Sequence, residues 1–239
     1  MGNLLSAEKI SSGYRKLQVL FDVSAEFAEK KVTVIVGPNG SGKSTLIKTI
    51  FGLTDVYSGR IMFDGNDITR SPPDKVSRFG IAYLPQTNNV FNELAVRENL
   101  LMAGYVLGKD EGQQRLAELA DVFPTVKEHW NRKAVTLSGG ERQMVAMAMA
   151  LMRRPRVMLF DEPTGNLAPK IAQQVLERIS KIRDEYGIAT AIAEQNAKRA
   201  LEMGDKAILL VSGQVSWSGD ADELLEQPEL ARMYLGVGR

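Results

Sequence analysis

Residues 37–44 constrain the fold of this chain more than any other segment, because they read Gly-Pro-Asn-Gly-Ser-Gly-Lys-Ser. The segment fits G-x-x-x-x-G-K-[ST] at every fixed position, and it stands between the β-branched run 31–36 and a helix-like stretch at 43–51. Glycines let the backbone curl so that several N–H groups converge at a helix N-terminus, where they bind anions. The pattern therefore predicts an α/β fold with a phosphate-binding loop between a buried strand and a helix.

The side chains of this loop predict how it binds a nucleotide and Mg²⁺. Lys43 supplies a compact positive charge for the β- and γ-phosphates, and the Ser44 hydroxyl is suited to ligating Mg²⁺. We therefore expect Lys43 to serve both binding and catalysis. The predicted nucleotide contacts are Gly37, Pro38, Asn39, Gly40, Ser41, Gly42, Lys43, Ser44 and Thr45.

Two adjacent carboxylates, Asp161 and Glu162, follow the apolar run 157–160. Consecutive strand residues face opposite ways, so the two side chains can take different roles. Asp161 is suited to holding Mg²⁺ or its water, and Glu162 to polarising the water that attacks the γ-phosphate. Such a run is common by itself, but together with a complete phosphate loop it predicts a site that hydrolyses a nucleotide.

The second half of the chain alternates strand and helix patterns, which is typical of a parallel sheet covered on both faces. The N-terminal third is rich in strand patterns, whereas residues 95–153 show helical spacing with few strand signals. We predict a single domain that consists of an α/β core interrupted by a helical insertion.

Composition excludes several classes of protein. The 30 Lys and Arg residues nearly balance the 29 Asp and Glu residues, so the net charge of +1 gives no field for non-specific binding of nucleic acid. The chain has no Cys, and its one His is His129, which excludes thiol nucleophiles and makes histidine triads improbable. No apolar run approaches the roughly 20 residues of a membrane-spanning helix. We therefore expect a cytosolic protein without a nucleic-acid partner.

The most specific segment is residues 137–141, which read Leu-Ser-Gly-Gly-Glu. Ser138 and Glu141 also form a capping box for the helical pattern that follows, and a capped helix start with two glycines is itself an anion site.

The phosphate loop, this signature segment and Asp161-Glu162 follow one another along the chain. With these motifs in this order, the chain resembles the ATP-binding-cassette (ABC) ATPases over essentially its whole length. The resemblance implies a P-loop NTPase fold with a mainly parallel sheet and an N-terminal antiparallel β part. It implies a RecA-like core at about residues 1–86 and 154–239 and a helical subdomain at about 87–153.

The resemblance also implies how such a chain works. Family members pair head to tail and hold two ATP molecules between the phosphate loop of one domain and the signature segment of the other. Tyr14 falls at the position that stacks on adenine, and Gln86 at the glutamine that senses Mg²⁺ and the γ-phosphate and relays to membrane subunits. The residues expected to contact the partner's ATP are Ser138, Gly139, Gly140 and Glu141.

The same resemblance implies the partners and the location. They are a second ABC ATPase, as a homodimer or heterodimer, two integral-membrane permease subunits and, indirectly, a solute-binding protein. The chain is then expected on the cytoplasmic face of the cell membrane.

Three positions depart from the common family pattern, and one of them is Met149, which stands where many members have Arg in the helix after the signature segment. Gln195 stands where a switch histidine is usual; its amide can donate a hydrogen bond to the γ-phosphate, which makes it a candidate catalytic residue, but it cannot carry a proton charge. Ala168 stands where Asp is usual, which leaves the cross-dimer hydrogen bonding there open.

The segments that contain Gln195 and Ala168, together with two segments near the end of the chain, are similar to those of the smaller ATPase of branched-chain amino-acid importers. The segments are residues 194–197, 166–169, 221–225 and 234–236. The alternatives are an ABC ATPase for another substrate, such as urea or an amide, an exporter ATPase, or a soluble ABC ATPase that acts on ribosomes or DNA. The last group usually carries two cassettes or long coiled coils, which do not fit within 239 residues.

Overall fold

A computed structural model describes residues 3–227, so the tail segment 234–236 lies outside the described residues. The strands of the described part form two sheets. They are β1 (Leu5–Tyr14), β2 (Leu17–Phe27), β3 (Val32–Val36), β4 (Asp55–Phe63), β5 (Asn66–Asp67), β6 (Ile81–Leu84), β7 (Val157–Asp161), β8 (Ala189–Ala193), β9 (Lys206–Val211) and β10 (Gln214–Asp220).

The larger sheet has the strand order β10-β9-β3-β8-β7-β6 and is parallel except for the β9–β10 pair. Every residue of β3, β7 and β8 is buried, which explains their continuous apolar sequences. Since β8 pairs with both β3 and β7 in parallel, the carboxyl ends of these three strands meet at one edge. The phosphate loop, Asp161-Glu162 and Glu194-Gln195 all follow these ends. The predicted mainly parallel sheet is confirmed.

The smaller sheet is antiparallel, with the order β2-β1-β4-β5, and confirms the predicted N-terminal β part. Helix α1 (Lys43–Ile50) lies between the two sheets, because Leu46 and Ile50 are buried in one apolar core with residues of β1 and β9. The Ser12 and Thr49 hydroxyls, 2.8 Å apart and buried, join β1 to α1. The antiparallel sheet thus covers the helix that begins at the phosphate loop.

Four of the remaining helices lie between β6 and β7, where the helical insertion is predicted. The limits 87–153 of a separate subdomain stay a prediction. Among residues 3–227, none of the helices has the length and apolar character needed to cross a membrane. The helices are α2 (Pro73–Arg78), α3 (Val96–Ala103), α4 (Lys109–Val122), α5 (Pro124–Glu128), α6 (Gly139–Leu151), α7 (Pro169–Tyr186), α8 (Ala197–Leu201) and α9 (Ala221–Leu225), with a 3₁₀ turn at Ala134–Thr136.

Candidate nucleotide-binding site

The phosphate loop turns sharply between β3 and α1, and backbone geometry requires two of its glycines. Gly37 has φ +147° and Gly42 has φ +103°, a region that L side chains rarely adopt. A Cβ on Gly37 would lie 2.0 Å from the carbonyl oxygen of Leu210, and one on Gly42 would lie 2.6 Å from a side chain of β2. The Gly213 N–H donates to the Ser41 carbonyl at 3.0 Å. The loop is therefore held against the β9–β10 turn in a shape that needs glycine.

Lys43 is the first residue of α1, and only 4% of it is exposed. Its Nζ donates to the carbonyl oxygens of Gly37 at 2.9 Å and Pro38 at 3.0 Å, so the ammonium lies over the loop. Burial lowers the pKa of Lys43, and the nearby Glu162 carboxylate is the largest opposing influence. A desolvated ammonium held over the phosphate loop is well suited to binding a polyphosphate.

Ser44 and Asp161 meet directly, although 117 positions separate them in the chain. The Ser44 hydroxyl donates to Asp161 Oδ1 at 2.6 Å, and the Tyr83 phenol donates to Oδ2 at 3.2 Å. Burial raises the pKa of Tyr83, which keeps the phenol a donor. Lys48 Nζ lies 3.9 Å from the same Oδ2. Two of the three residues predicted to hold Mg²⁺, Ser44 and Asp161, are thus in direct contact at the end of β7, whereas the third, Gln86, bonds Glu162.

Glu162 follows Asp161 and turns its side chain toward a different neighbour. Its φ of +46° is left-handed, which is uncommon for a residue with a Cβ. Gln86 Nε2 donates to Glu162 Oε2 at 2.7 Å, and the Gly165 N–H donates to the Glu162 carbonyl at 3.0 Å. The structure therefore brings together the predicted base and the predicted sensor glutamine, and it gives Asp161 and Glu162 separate partners.

The signature segment begins α6, and the predicted capping box is confirmed. Ser138 is the N-cap residue, and its N–H donates to Glu141 Oε2 at 2.6 Å. The Glu141 N–H donates in return to the Ser138 hydroxyl at 3.4 Å. The bond from the Ser138 N–H is the largest cause of a lowered pKa at Glu141. The Glu141 carboxylate therefore fixes the start of the helix.

His129, the single histidine of the chain, bonds the same carboxylate rather than the phosphate site. Arg132 donates to His129 Nδ1 at 3.3 Å, so the ring proton lies on Nε2, which donates to Glu141 Oε1 at 2.9 Å. Between residues 3 and 227, no hydrogen bond joins the signature segment to residues 37–45. The signature segment and the phosphate loop of one chain thus do not complete each other.

Three other predicted residues lie at exposed positions. Tyr14 ends β1 and is 42% exposed, as a side chain that stacks on a ligand must be. Gln195 is exposed in the turn between β8 and α8. Ala168 is the N-cap residue of α7 and supplies no side-chain acceptor to its N–H groups.

Sequence reasoning did not assign a role to Glu194, which is only 2% exposed. Its Oε1 accepts from the Thr164 N–H at 2.9 Å and from the Thr164 hydroxyl at 2.7 Å. The signal was present in the sequence, because Glu194 directly follows a buried apolar strand, as Asp161 and Glu162 do. A single carboxylate at a strand end does not by itself reveal its partner.

The residues present fit ATP and Mg²⁺. The buried Ser41 hydroxyl has no hydrogen-bond partner within the described structure, and such an atom usually has one. Ser44 and Asp161 offer the hard oxygen donors that Mg²⁺ prefers. In the described range 3–227, no group of three or more His, Cys, Asp or Glu side chains could hold a metal. The ion would therefore need phosphate oxygens or water as further ligands, which is usual for Mg²⁺.

The chain matches the model of the ABC transporter family over residues 20–165. It is 48% identical to the probable branched-chain amino acid transport ATP-binding protein LivF of Archaeoglobus fulgidus, over 98% of this chain and 99% of that protein. It is 39% identical to the high-affinity branched-chain amino acid transport ATP-binding protein BraG of Pseudomonas aeruginosa, over 98% of this chain and all of that one.

The fold has close counterparts among solved structures. One is the ADP conformation of an ATP-binding cassette of an ABC transporter, with a TM-score of 0.88 and 27% identity. The superposition covers 100% of both chains. The likeness therefore extends over the sheets, the helical insertion and the phosphate loop together.

Proposed function

The chain belongs to the ABC transporter family, and from that premise we propose that it is the ATP-hydrolysing subunit of an importer for branched-chain amino acids. The observation that carries the hydrolytic part is the Ser44–Asp161 contact of 2.6 Å. It joins the phosphate loop to the strand end that carries Glu162. Each residue of this arrangement has a chemical role that follows from its position.

ATP is bound by the loop and by β1. The backbone N–H groups of residues 39–45 surround the phosphates, and the buried Lys43 supplies the positive charge that attracts their β- and γ-oxygens. Tyr14, exposed at the end of β1, stacks on the adenine. No basic surface is needed, which agrees with the net charge of +1.

Hydrolysis depends on residues at the ends of β6, β7 and β8. Ser44, Gln86 and Asp161 would hold Mg²⁺, which when bound would supply positive charge against the charge that develops on the phosphates. The Glu162 carboxylate accepts a proton from the attacking water. The Gln195 amide donates a hydrogen bond to the γ-phosphate.

The signature segment serves the ATP of a second cassette. Ser138, Gly139, Gly140 and Glu141 lie at the capped N-terminus of α6, where free N–H groups and the helix dipole favour an anion. The absence of a hydrogen bond from this segment to residues 37–45, within the described residues, supports a head-to-tail pair. The partner is a second copy of this chain or a different ABC ATPase.

The membrane subunits contact the insertion. A cleft of about 220 Å³ lies between β6 and α6, and its lining includes Ala82, Asn89 and Met149. Exposed apolar side chains stand near it at the end of α3, where an apolar partner surface would bury them. They are Leu101, Met102, Tyr105 and Val106. We place the chain on the cytoplasmic face, with Gln86 between the cleft and Glu162 and the subdomain limits near 87 and 153.

The substrate assignment rests on the two relatives named for branched-chain amino acid transport. Its test is uptake of radiolabelled leucine and of an unrelated sugar by host cells that lack this chain. We expect leucine uptake alone to fall, and to return with the wild-type chain or with Lys16→Ala, an exposed control. Lys43→Ala gives no rescue, because the phosphate site loses its charge. Unchanged leucine uptake in the deletion strain would contradict the substrate, and rescue by Lys43→Ala would contradict the ATP-driven step.

A further inference from the structure

Glu194 is a buried residue whose carboxylate accepts two hydrogen bonds from a single neighbour, Thr164. Both hydrogen bonds to its Oε1 come from Thr164, one from the backbone N–H and one from the hydroxyl. Thr164 stands two positions after Glu162, and Glu194 stands one position before Gln195. One carboxylate oxygen therefore joins the two loops that carry the proposed base and the proposed γ-phosphate donor.

The backbone around this contact is anchored on both sides. The Glu194 N–H donates to the Ile35 carbonyl at 3.0 Å, and the Glu162 N–H donates to the Ala193 carbonyl at 2.8 Å. The ends of β3, β7 and β8 are thus tied together by main-chain bonds, but residues 163–165 lie beyond that ladder. The Thr164–Glu194 bonds extend the connection past the strand ends.

Burial of a carboxylate costs free energy, so a buried glutamate at this position indicates that its contact with Thr164 has a function. Burial raises the pKa of Glu194, and Glu162 lies near enough for its negative charge to raise that pKa further. An apolar side chain would fill a purely structural position without desolvating a charge. Glu162, moreover, holds a left-handed φ of +46°, which persists only where neighbouring contacts fix it.

We propose that Glu194 is a positioning residue, which holds the loop after Glu162 through Thr164 and so keeps Glu162 and Gln195 at a fixed separation. This inference rests on the proposed function, since it concerns how the base is aimed. Without the Thr164 bonds, residues 162–165 relax and the Glu162 carboxylate samples other directions. ATP still binds, because its binding residues are those of the phosphate loop.

The test compares Thr164→Val with Thr164→Ser in the purified full-length chain. Valine keeps the shape but removes the hydroxyl donor, whereas serine keeps the donor. We expect Thr164→Val to lower kcat by about tenfold, which corresponds to one hydrogen bond to a charged group, and to change KM for ATP by less than about threefold. Thr164→Ser keeps kcat near the wild-type value. A merely structural role would lower the stability of Thr164→Val but leave the kcat of the folded variant unchanged.

A second pair of variants tests the carboxylate side of the contact. Glu194→Ala removes the acceptor and lowers kcat, whereas the amide oxygen of Glu194→Gln can still accept both Thr164 bonds and retains more activity. The double variant of Thr164→Val and Glu194→Ala loses no more than the worse single variant, because both changes break one connection.

Three results would overturn the inference. They are an unchanged kcat for Thr164→Val and Glu194→Ala, a loss confined to ATP affinity, and additive losses in the double variant. Each of these results is measured against a wild-type chain that hydrolyses ATP. They would therefore contradict the positioning role of Glu194 without contradicting the proposed function. A wild-type chain that binds ATP without hydrolysing it would instead contradict the proposed function, and the inference with it.

Discussion

Three carboxylates at neighbouring strand ends differ because their surroundings differ. Asp161 accepts from a hydroxyl and a phenol, which suits a metal ligand. Glu162 accepts from the Gln86 amide, a neutral donor that leaves the carboxylate available to a water molecule. Glu194 is buried, and burial raises its pKa. These different surroundings fit the three roles that we propose for the carboxylates, namely metal ligand for Asp161, base for Glu162 and positioning residue for Glu194.

The raised pKa of Glu194 predicts how stability depends on pH. Its folded pKa lies above the ordinary value of 4.5, so the native state holds the proton more tightly than the unfolded state, and stability falls as pH rises between the two values. Glu194→Gln removes that penalty. We expect a higher free energy of unfolding for this variant than for the wild type at about pH 8, with the difference shrinking toward about pH 4.5.

Urea titrations of both proteins at a series of pH values measure this difference. Glu202→Gln, a change of the same kind at an exposed position, serves as the control and gives no such trend. A constant difference between Glu194→Gln and the wild type across the range would refute the titration of Glu194 as its cause.

The sequence predicts some of these residues and not others, for a physical reason. Lys43, Ser44, Asp161 and Glu162 belong to motifs whose members are adjacent in the chain, so local pattern suffices to find them. The Thr164–Glu194 contact joins residues 30 positions apart and exists because β7 and β8 are parallel neighbours. Only the strand register brings its two side chains together, and no local pattern encodes that register.

At the scale of elements, buried strands that end in tight loops position the whole site. The alternation of strand and helix patterns predicts a parallel sheet, and the structure confirms this, with every residue of β3, β7 and β8 buried. Their common direction brings three loops to one edge. The helices that follow point their N-termini toward the same edge, where the first N–H groups are free for caps or ligands.

The irregularities of the antiparallel sheet were not predictable in the same way. The register of β1 against β2 shifts between Ala7 and Ile10, and Lys9 and Asp22 both have left-handed φ values near +50°. The alternation of β2 predicts a strand but carries no information on such bulges, since a bulge depends on the partner strand. The sequence pattern therefore identifies the strands, whereas the pairing of neighbouring strands determines where they bulge.

The N-terminus of α7 offers a prediction about stability. Ala168 occupies the N-cap position with an extended backbone, φ −59° and ψ 146°, and its carbonyl accepts from the Ile171 and Ala172 N–H groups at 2.9 Å, but it offers no side-chain acceptor to the first N–H groups of this 18-residue helix. Ala168→Asp should raise the free energy of unfolding by about 1 kcal/mol, since an aspartate side chain caps those groups. For a chain of this size, the melting temperature rises by about 2–4 °C.

Calorimetry of Ala168→Asp and Ala168→Asn, with Ala168→Val as a control that lacks an acceptor, measures this effect. Both capping variants should gain stability and the valine variant should not. Equal melting temperatures for all three would show that the α7 N–H groups are already satisfied by other means.

At the scale of the whole molecule, the site within one chain is incomplete. The phosphate loop and the signature segment are each well formed, but within residues 3–227 no hydrogen bond connects them. The capping box and the His129 bond hold the signature segment in place before any partner arrives. We propose that two such chains placed head to tail complete two sites, in which case ATP binding and association of the cassettes would be coupled by mass action.

The proposal that Glu162 is the base for ATP hydrolysis is tested most directly by measuring ATP binding, hydrolysis and dimer formation of Glu162→Gln in the presence of Mg²⁺. The amide cannot accept a proton from water, but the phosphate loop, Ser44 and Asp161 stay intact. We predict that the variant binds ATP with about wild-type affinity, loses ATP hydrolysis by at least about a hundredfold, and forms an ATP-dependent dimer visible by light scattering. Hydrolysis by Glu162→Gln at the wild-type rate would contradict the assignment of Glu162 as the base, and with it the central claim.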